Sequence, residues 1–182
     1  MADEFMDVLV VGAGLSGIGA ACHLHKLCPD RSFTIDEARP DLGGTWDLFR
    51  YPGVRSDSDM HTLGYSFRPW ADPKAIADGP AILSYLRETA REHGIDRKIR
   101  FGHKVVRADW SSREARWTVQ LHRAQDDSTV SVQCAFLFMC SGYYDYAGGY
   151  EPAFPGQEYF AGPIVHPQRW PQDLDYAGKR VV

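Results

Sequence analysis

A chain of 182 residues, 44% of them hydrophobic, can bury one substantial core, so a single folded unit is the default at this size. Its formal charge of −4, with basic residues neither in excess nor clustered, argues against an electrostatic nucleic-acid binder. Cys22, Cys28, Cys134 and Cys140 lack close CxxC spacing, which argues against a disulfide framework or a zinc site; no bound metal is expected, and the thiols are read as reduced and cytosolic.

The start, Met1-Ala2-Asp3-Glu4-Phe5, lacks the basic head and apolar centre of a signal peptide. No apolar run approaches membrane-spanning length, so a soluble, cytoplasmic protein is expected, with peripheral membrane contact left open. Val8-Leu9-Val10-Val11 is a short apolar run ended by glycines, which suits a strand buried on both faces of a parallel sheet. From Ser16 to Leu27, Ile18, Ala21, Leu24 and Leu27 recur at helical spacing until Pro29 stops the pattern. Phe33-Thr34-Ile35 predicts a second strand ending at Asp36 and Glu37. Residues 40–80 mix Gly, Pro, Asp and Ser with Trp46, Tyr51, Tyr65, Phe67 and Trp70, predicting a long irregular but ordered segment.

Ile82, Leu83, Leu86 and Ala90 predict a covering helix over residues 82–93, with Gly94 at its C-terminal cap. Residues 99–101, 104–110, 117–122 and 129–134 are β-prone, and the polar turns between the later ones predict an antiparallel meander. Phe136-Leu137-Phe138-Met139-Cys140 then reads as a separate return to the central sheet, ended by Ser141-Gly142. The proline-rich stretch 152–171 predicts an ordered connector, and Gly178-Lys179-Arg180-Val181-Val182 has the composition of a further strand. There are no internal repeats or low-complexity tracts.

Gly12, Gly14 and Gly17 carry the spacing of a glycine-rich turn between a buried strand and a helix. Such a turn lets backbone approach a pyrophosphate, and the helix N-terminus supplies free amides and a favourable dipole. The same glycines can serve the turn alone. The preceding strand, the Ala20-Ala21 helix and the acid Glu37, 20 residues after Gly17, favour dinucleotide binding, with Glu37 accepting from a ribose diol. Glu37 as a solvated strand-end carboxylate is the competing reading. Gly43-Gly44-Thr45-Trp46 offers a second stretch of bare backbone, or a plain turn.

The run from Glu37 to Gly53, with Gly43-Gly44-Thr45-Trp46-Asp47-Leu48-Phe49-Arg50-Tyr51-Pro52-Gly53 at its centre, resembles the FAD-binding segment of class B flavoprotein monooxygenases. Arg55-Ser56-Asp57-Ser58-Asp59-Met60 resembles the subgroup that includes the ethionamide-activating monooxygenase. Phe160-Ala161-Gly162-Pro163-Ile164-Val165-His166-Pro167-Gln168-Arg169-Trp170-Pro171 matches the Baeyer–Villiger fingerprint FxGxxxHxxxW(P/D) at every fixed position.

The resemblance implies an α/β FAD/NAD(P)-binding Rossmann-like domain of the glutathione-reductase-like type with an antiparallel β meander. Residues 1–150 would form the FAD-binding domain, 151–177 the fingerprint linker, and 178–182 the first strand of a truncated NADP-binding domain. Gly12, Gly14, Ser16 and Gly17 would hold the FAD pyrophosphate, Glu37 the ribose, and Gly44, Thr45, Trp46, Asp47 and Leu48 the riboflavin side. Val105 would meet the adenine through its backbone. Arg55, Ser56 and Asp57 would lie beside the flavin and nicotinamide, Asp57 as the catalytic acid that supports an arginine at the oxygen-activated flavin. Without the family, residues 56–59 read as a helix cap or Asx turn, and His166 as a structural histidine.

The implied activity uses FAD, NADPH and dioxygen to insert oxygen into a ketone, or to oxygenate a sulfide or nitrogen. The 182 residues are expected to be an inactive front fragment of such an enzyme. An NAD(P)-dependent dehydrogenase and a non-catalytic FAD-holding polypeptide are the alternatives.

Overall fold

The computed structural model describes residues 4–182. The first strand, β1 (Glu4–Val11), leads into α1 (Leu15–Leu27) and back to β2 (Phe33–Glu37), which lies parallel to β1 with Val10 opposite Ile35. β1 begins earlier than the apolar run 8–11 because Glu4, Phe5 and Met6 pair with Val132, Gln133 and Cys134. That partnership is distant in sequence and invisible to local periodicity.

The segment 40–80 is mostly irregular, as expected, and is interrupted by two single turns of helix, α2 (Thr45–Leu48) and α3 (Met60–Leu63). Aromatic packing holds it. Tyr65 stacks on Phe67 and Tyr85 at centroid distances of 4.9 and 5.6 Å, and its hydroxyl donates to the Leu15 carbonyl at the start of α1 (2.6 Å). The Tyr85 hydroxyl accepts from the Tyr65 amide (2.8 Å) and donates to the Arg68 carbonyl (2.5 Å). Tyr65→Phe keeps the stack and loses one partly buried hydrogen bond, so a loss of about 1 kcal/mol in urea denaturation is expected. An unchanged midpoint would show that the Leu15 contact contributes nothing.

Helix α4 (Gly79–Glu92) starts three residues before the apolar pattern because Pro80 in its first turn has φ already set for a helix. A 3₁₀ turn leads to β3 (Ile99–Phe101), followed by β4 (His103–Ser111), β5 (Arg116–Arg123) and β6 (Ser128–Met139). The sheet has six strands in the order β3-β2-β1-β6-β5-β4. Here the structure corrects the sequence reading: the stretches 129–134 and 136–140 are not two elements but one 12-residue strand, β6. Its first half pairs antiparallel with β5 and its second half parallel with β1, so the meander continues the central sheet. The continuous apolar half, expected to be buried in the central sheet, is instead largely exposed at Phe136, Phe138 and Met139, and the buried positions of β6 are Val132 and Cys134 in its alternating half. Residues 179–182 pair with no strand of this sheet and stay exposed.

The core lies on both faces. Val8, Val10 and Ile35 pack against Ile18 and Ala21 of α1 and Ile82 and Leu86 of α4. Leu9 joins Val119, Leu121, Val132 and Cys134 on the other face. One charged pair is built into this frame: Asp36 of β2 sits opposite Arg100 of β3, with Nε to Oδ1 2.7 Å and Nη2 to Oδ2 3.0 Å. Among the described residues no helix is long and apolar enough to cross a membrane.

Candidate functional site

A cleft of about 770 Å³ opens at the carboxyl ends of β1, β2 and β6, in the size range of small-molecule sites. Open α/β sheets place ligands there because the loops leaving parallel strands diverge at that edge. Gly12, Gly14, Ser16, Glu37, Gly44, Thr45, Trp46 and Val105, all singled out in the sequence, line it together.

The local geometry explains the glycines. Gly12 has φ of +100°, donates its amide to the Asp36 carbonyl (2.8 Å), and has no room for a side chain: a Cβ would lie 2.6 Å from the Cys140 carbonyl oxygen. At Gly17 a Cβ would meet the Gly12 carbonyl oxygen at 1.8 Å. Gly17 therefore serves the packing of the turn on α1. Gly14 is the N-cap of α1 and no side chain caps it, so the first amides of a 13-residue helix remain available to an anion.

Glu37 is buried, with Oε2 accepting from the Ala13 amide (2.7 Å) and Oε1 from the Arg39 amide (2.9 Å). It thereby ties the end of β2 to the glycine turn. A carboxylate has about four acceptor sites, so capacity remains for hydroxyls of a ligand. The second glycine turn touches the first: a Cβ on Gly44 would lie 3.1 Å from the Gly14 Cα, and the Gly43 amide donates to the Ala13 carbonyl (2.9 Å).

Asp47 is placed differently from the other members of its motif. Its buried carboxylate is taken up by Arg39 (2.6 Å), Arg50 (3.2 Å) and Arg87 (3.4 Å), and it does not line the cleft. Leu48 is half-buried and also outside the lining. A second cavity of about 770 Å³ next to these arginines shares Trp46 with the cleft. Ser56 is buried, accepts from the Ala77 amide through Oγ (3.1 Å), and sits between the exposed Arg55 and Asp57. None of the three lines the cleft. Tyr144, which does line the cleft, has its phenol raised above its ordinary pKa, first by its hydrogen bond with Tyr143. Asp59 caps α3 through the Thr62 amide (2.9 Å), as the local reading of residues 56–59 expects.

The structure adds residues that were given no role in the sequence: Arg39, inside the Glu37–Gly53 run, and His103, Lys104 and the run from Tyr143 to Ala147, outside every motif. A signal existed for the last of these, since a parallel strand leaving beside β1 must deliver its following loop to the same edge. His166 accepts from the Gln168 amide through Nδ1 (3.2 Å), and the fingerprint segment around it contributes nothing to the cleft lining.

Residues 10–73 match the family model of the NAD(P)-binding Rossmann-like domain. Over 180 residues, 98% of the chain, the sequence is 59% identical to the FAD-containing monooxygenase EthA of Mycobacterium tuberculosis (strain ATCC 25618 / H37Rv), of which it covers 36%. The fold is similar to that of an oxidised steroid monooxygenase bound to NADP, with a TM-score of 0.79 and 34% identity over 96% of this chain and 33% of that one. It is also similar to cyclohexanone monooxygenase from Rhodococcus sp. Phi1 bound to NADP+, with a TM-score of 0.77 and 27% identity over 96% of this chain and 32% of that one. The homologues are thus monooxygenases, and the chain spans about a third of their length.

Proposed function

We propose that the chain forms the FAD-binding part of an NADPH-dependent monooxygenase that inserts one oxygen atom of dioxygen into a ketone, or oxygenates a sulfide or nitrogen. The observation that carries this is the meeting of two bare glycine turns, Gly12 to Gly17 and Gly43-Gly44, over an uncapped helix end beside a buried ribose-type acid. These residues fit a dinucleotide: the turns have no side chains to obstruct its phosphates, and Glu37 retains acceptor capacity. Bound FAD supplies the redox and oxygen chemistry, which side chains alone lack.

The chain's share is to bind and orient. Gly12, Gly14, Ser16 and the first amides of α1 hold the pyrophosphate, Glu37 accepts the ribose hydroxyls, and Val105 meets the adenine through its backbone. Thr45 and Trp46 line the riboflavin side, with Asp47 and Leu48 fixing that turn from behind. Arg55 and Ser56 flank the flavin and nicotinamide, and Asp57 supplies the negative charge that positions a cationic partner. Residues 1–150 serve as the FAD domain, 151–177 as the linker and 178–182 as the beginning of the NADP domain, in a cytoplasmic protein. The chain spans about a third of its relatives' length, so the full reaction is assigned to a form of their length, and these residues by themselves would hold FAD without turnover.

The test is oxidation of a cyclic ketone with NADPH and isotopically labelled dioxygen, by this chain and by a form extended to the length of its relatives. Label in an ester from the extended form alone supports the reading. Unlabelled product, or oxygen-independent turnover of an alcohol with NAD(P), assigns the site to a dehydrogenase, a reading favoured by the NAD(P)-binding family match. At Glu37, Glu37→Gln exchanges one acceptor for a donor that faces an amide, so FAD affinity is expected to fall about tenfold in calorimetry. Unaltered affinity would remove Glu37 from the ribose contact.

A further inference from the structure

Tyr146 is the least expected part of the cleft. It follows β6, and its hydroxyl stands beside the meeting point of the two glycine turns, 3.4 Å from where a Cβ on Gly44 would be and 3.7 Å from that of Gly142. Its ring is held by Arg39, whose guanidinium carbon lies 5.7 Å from the ring centroid. The hydroxyls of Tyr65 and Tyr85 hydrogen-bond to backbone carbonyls. That of Tyr146 has no protein partner among the described residues, although the ring is anchored.

Arg39 is itself fixed, donating to the Gly44 carbonyl through Nη1 (3.2 Å) and to Asp47 through Nη2 (2.6 Å). Arg39, Arg50 and Arg87 share the carboxylates of Asp41 and Asp47, so three guanidinium charges face two carboxylates. With the Glu37 carboxylate, which accepts from the Ala13 and Arg39 amides at the same turns, the three charges are balanced and Arg39 stays fixed beneath the Tyr146 ring. An anchored phenol with a free hydroxyl, beside two bare glycine turns and an uncapped helix end, suits a bound diphosphate.

We propose that Tyr146 is a further cofactor-contacting residue, donating its hydroxyl to the diphosphate of the dinucleotide, and that Arg39 positions it. This rests on the FAD-binding reading. The test compares FAD, ADP and riboflavin binding by calorimetry or fluorescence in the wild-type chain, Tyr146→Phe and Tyr146→Leu, together with the thermal midpoint of the protein without ligand.

Tyr146→Phe keeps the ring over Arg39 and removes only the hydroxyl, so FAD and ADP are expected to bind about five- to tenfold more weakly. Riboflavin affinity and the thermal midpoint should stay at wild-type values. Tyr146→Leu, which also frees Arg39, should lose more affinity for the two diphosphates. Undiminished FAD and ADP affinity in Tyr146→Phe overturns the proposal, as does an equal loss for riboflavin accompanied by a lower midpoint, the mark of a structural role. A wild-type chain that binds none of the three removes the FAD reading and this contact with it.

Discussion

Gly17→Ala is expected to be the most damaging single-methyl change in the chain, costing roughly 4 kcal/mol or more and abolishing flavin binding. The added Cβ would lie 1.8 Å from the Gly12 carbonyl oxygen and 3.0 Å from its carbon, both of them backbone atoms. Gly12 cannot retreat cheaply. Its amide is bonded to the Asp36 carbonyl at 2.8 Å, its φ is +100°, and the Cys140 backbone closes its other side. Relief therefore requires α1 to lift from β1, which opens the core contacts of Ile18 and Ala21. Gly14→Ala is the control: its Cβ would find its nearest neighbour at 3.6 Å, an ordinary contact, so stability should change by no more than about 0.5 kcal/mol. Urea denaturation of both variants checks the contrast, and a Gly17→Ala protein as stable as Gly14→Ala would refute it.

The second large effect is at the buried charge pair. Asp36 has 1% of its surface exposed, and Arg100 holds both of its carboxylate oxygens. Removing one member of such a pair leaves an uncompensated buried charge, so Arg100→Ala is expected to cost about 3–5 kcal/mol. Losing the Glu4 contact adds little, because that carboxylate is 56% exposed and screened by water. Burial raises the Asp36 pKa above its ordinary value while Arg100 pulls it down. Without Arg100 the folded-state pKa rises further, so the variant's deficit is fully present above that raised pKa. It should shrink as pH falls through it and the carboxyl becomes neutral. Denaturation curves from neutral to mildly acid pH test the sign. A double change, Asp36→Val with Arg100→Leu, should recover most of the loss.

Much of the nucleotide half was legible because its signals are local. The run 8–11, the glycine spacing and the period of Ile18, Ala21 and Leu24 each constrain a few adjacent residues, and β1, α1 and β2 follow. What escaped depends on partners far apart in the chain. Arg100 lies between Ile99 and Phe101 in a three-residue strand, and nothing local names its partner until β3 is placed against Asp36. The unity of β6 shows only once its halves are given different neighbours. Asp47 shares a motif with Thr45 and Trp46, yet one helical turn points its carboxylate to Arg39, Arg50 and Arg87. Tyr146 belongs to no fingerprint at all; only the edge to which β6 delivers it makes it a cleft residue.

Titration of the purified chain with FAD, followed by calorimetry and flavin fluorescence, bears most directly on the cradle formed by Gly12, Gly14, Glu37 and Gly44. Saturable binding of one FAD per chain is expected, weakened by Glu37→Gln and lost with Gly17→Ala. A well-folded chain that takes up no FAD, or that binds NAD(P) in the same cleft in its place, would contradict it.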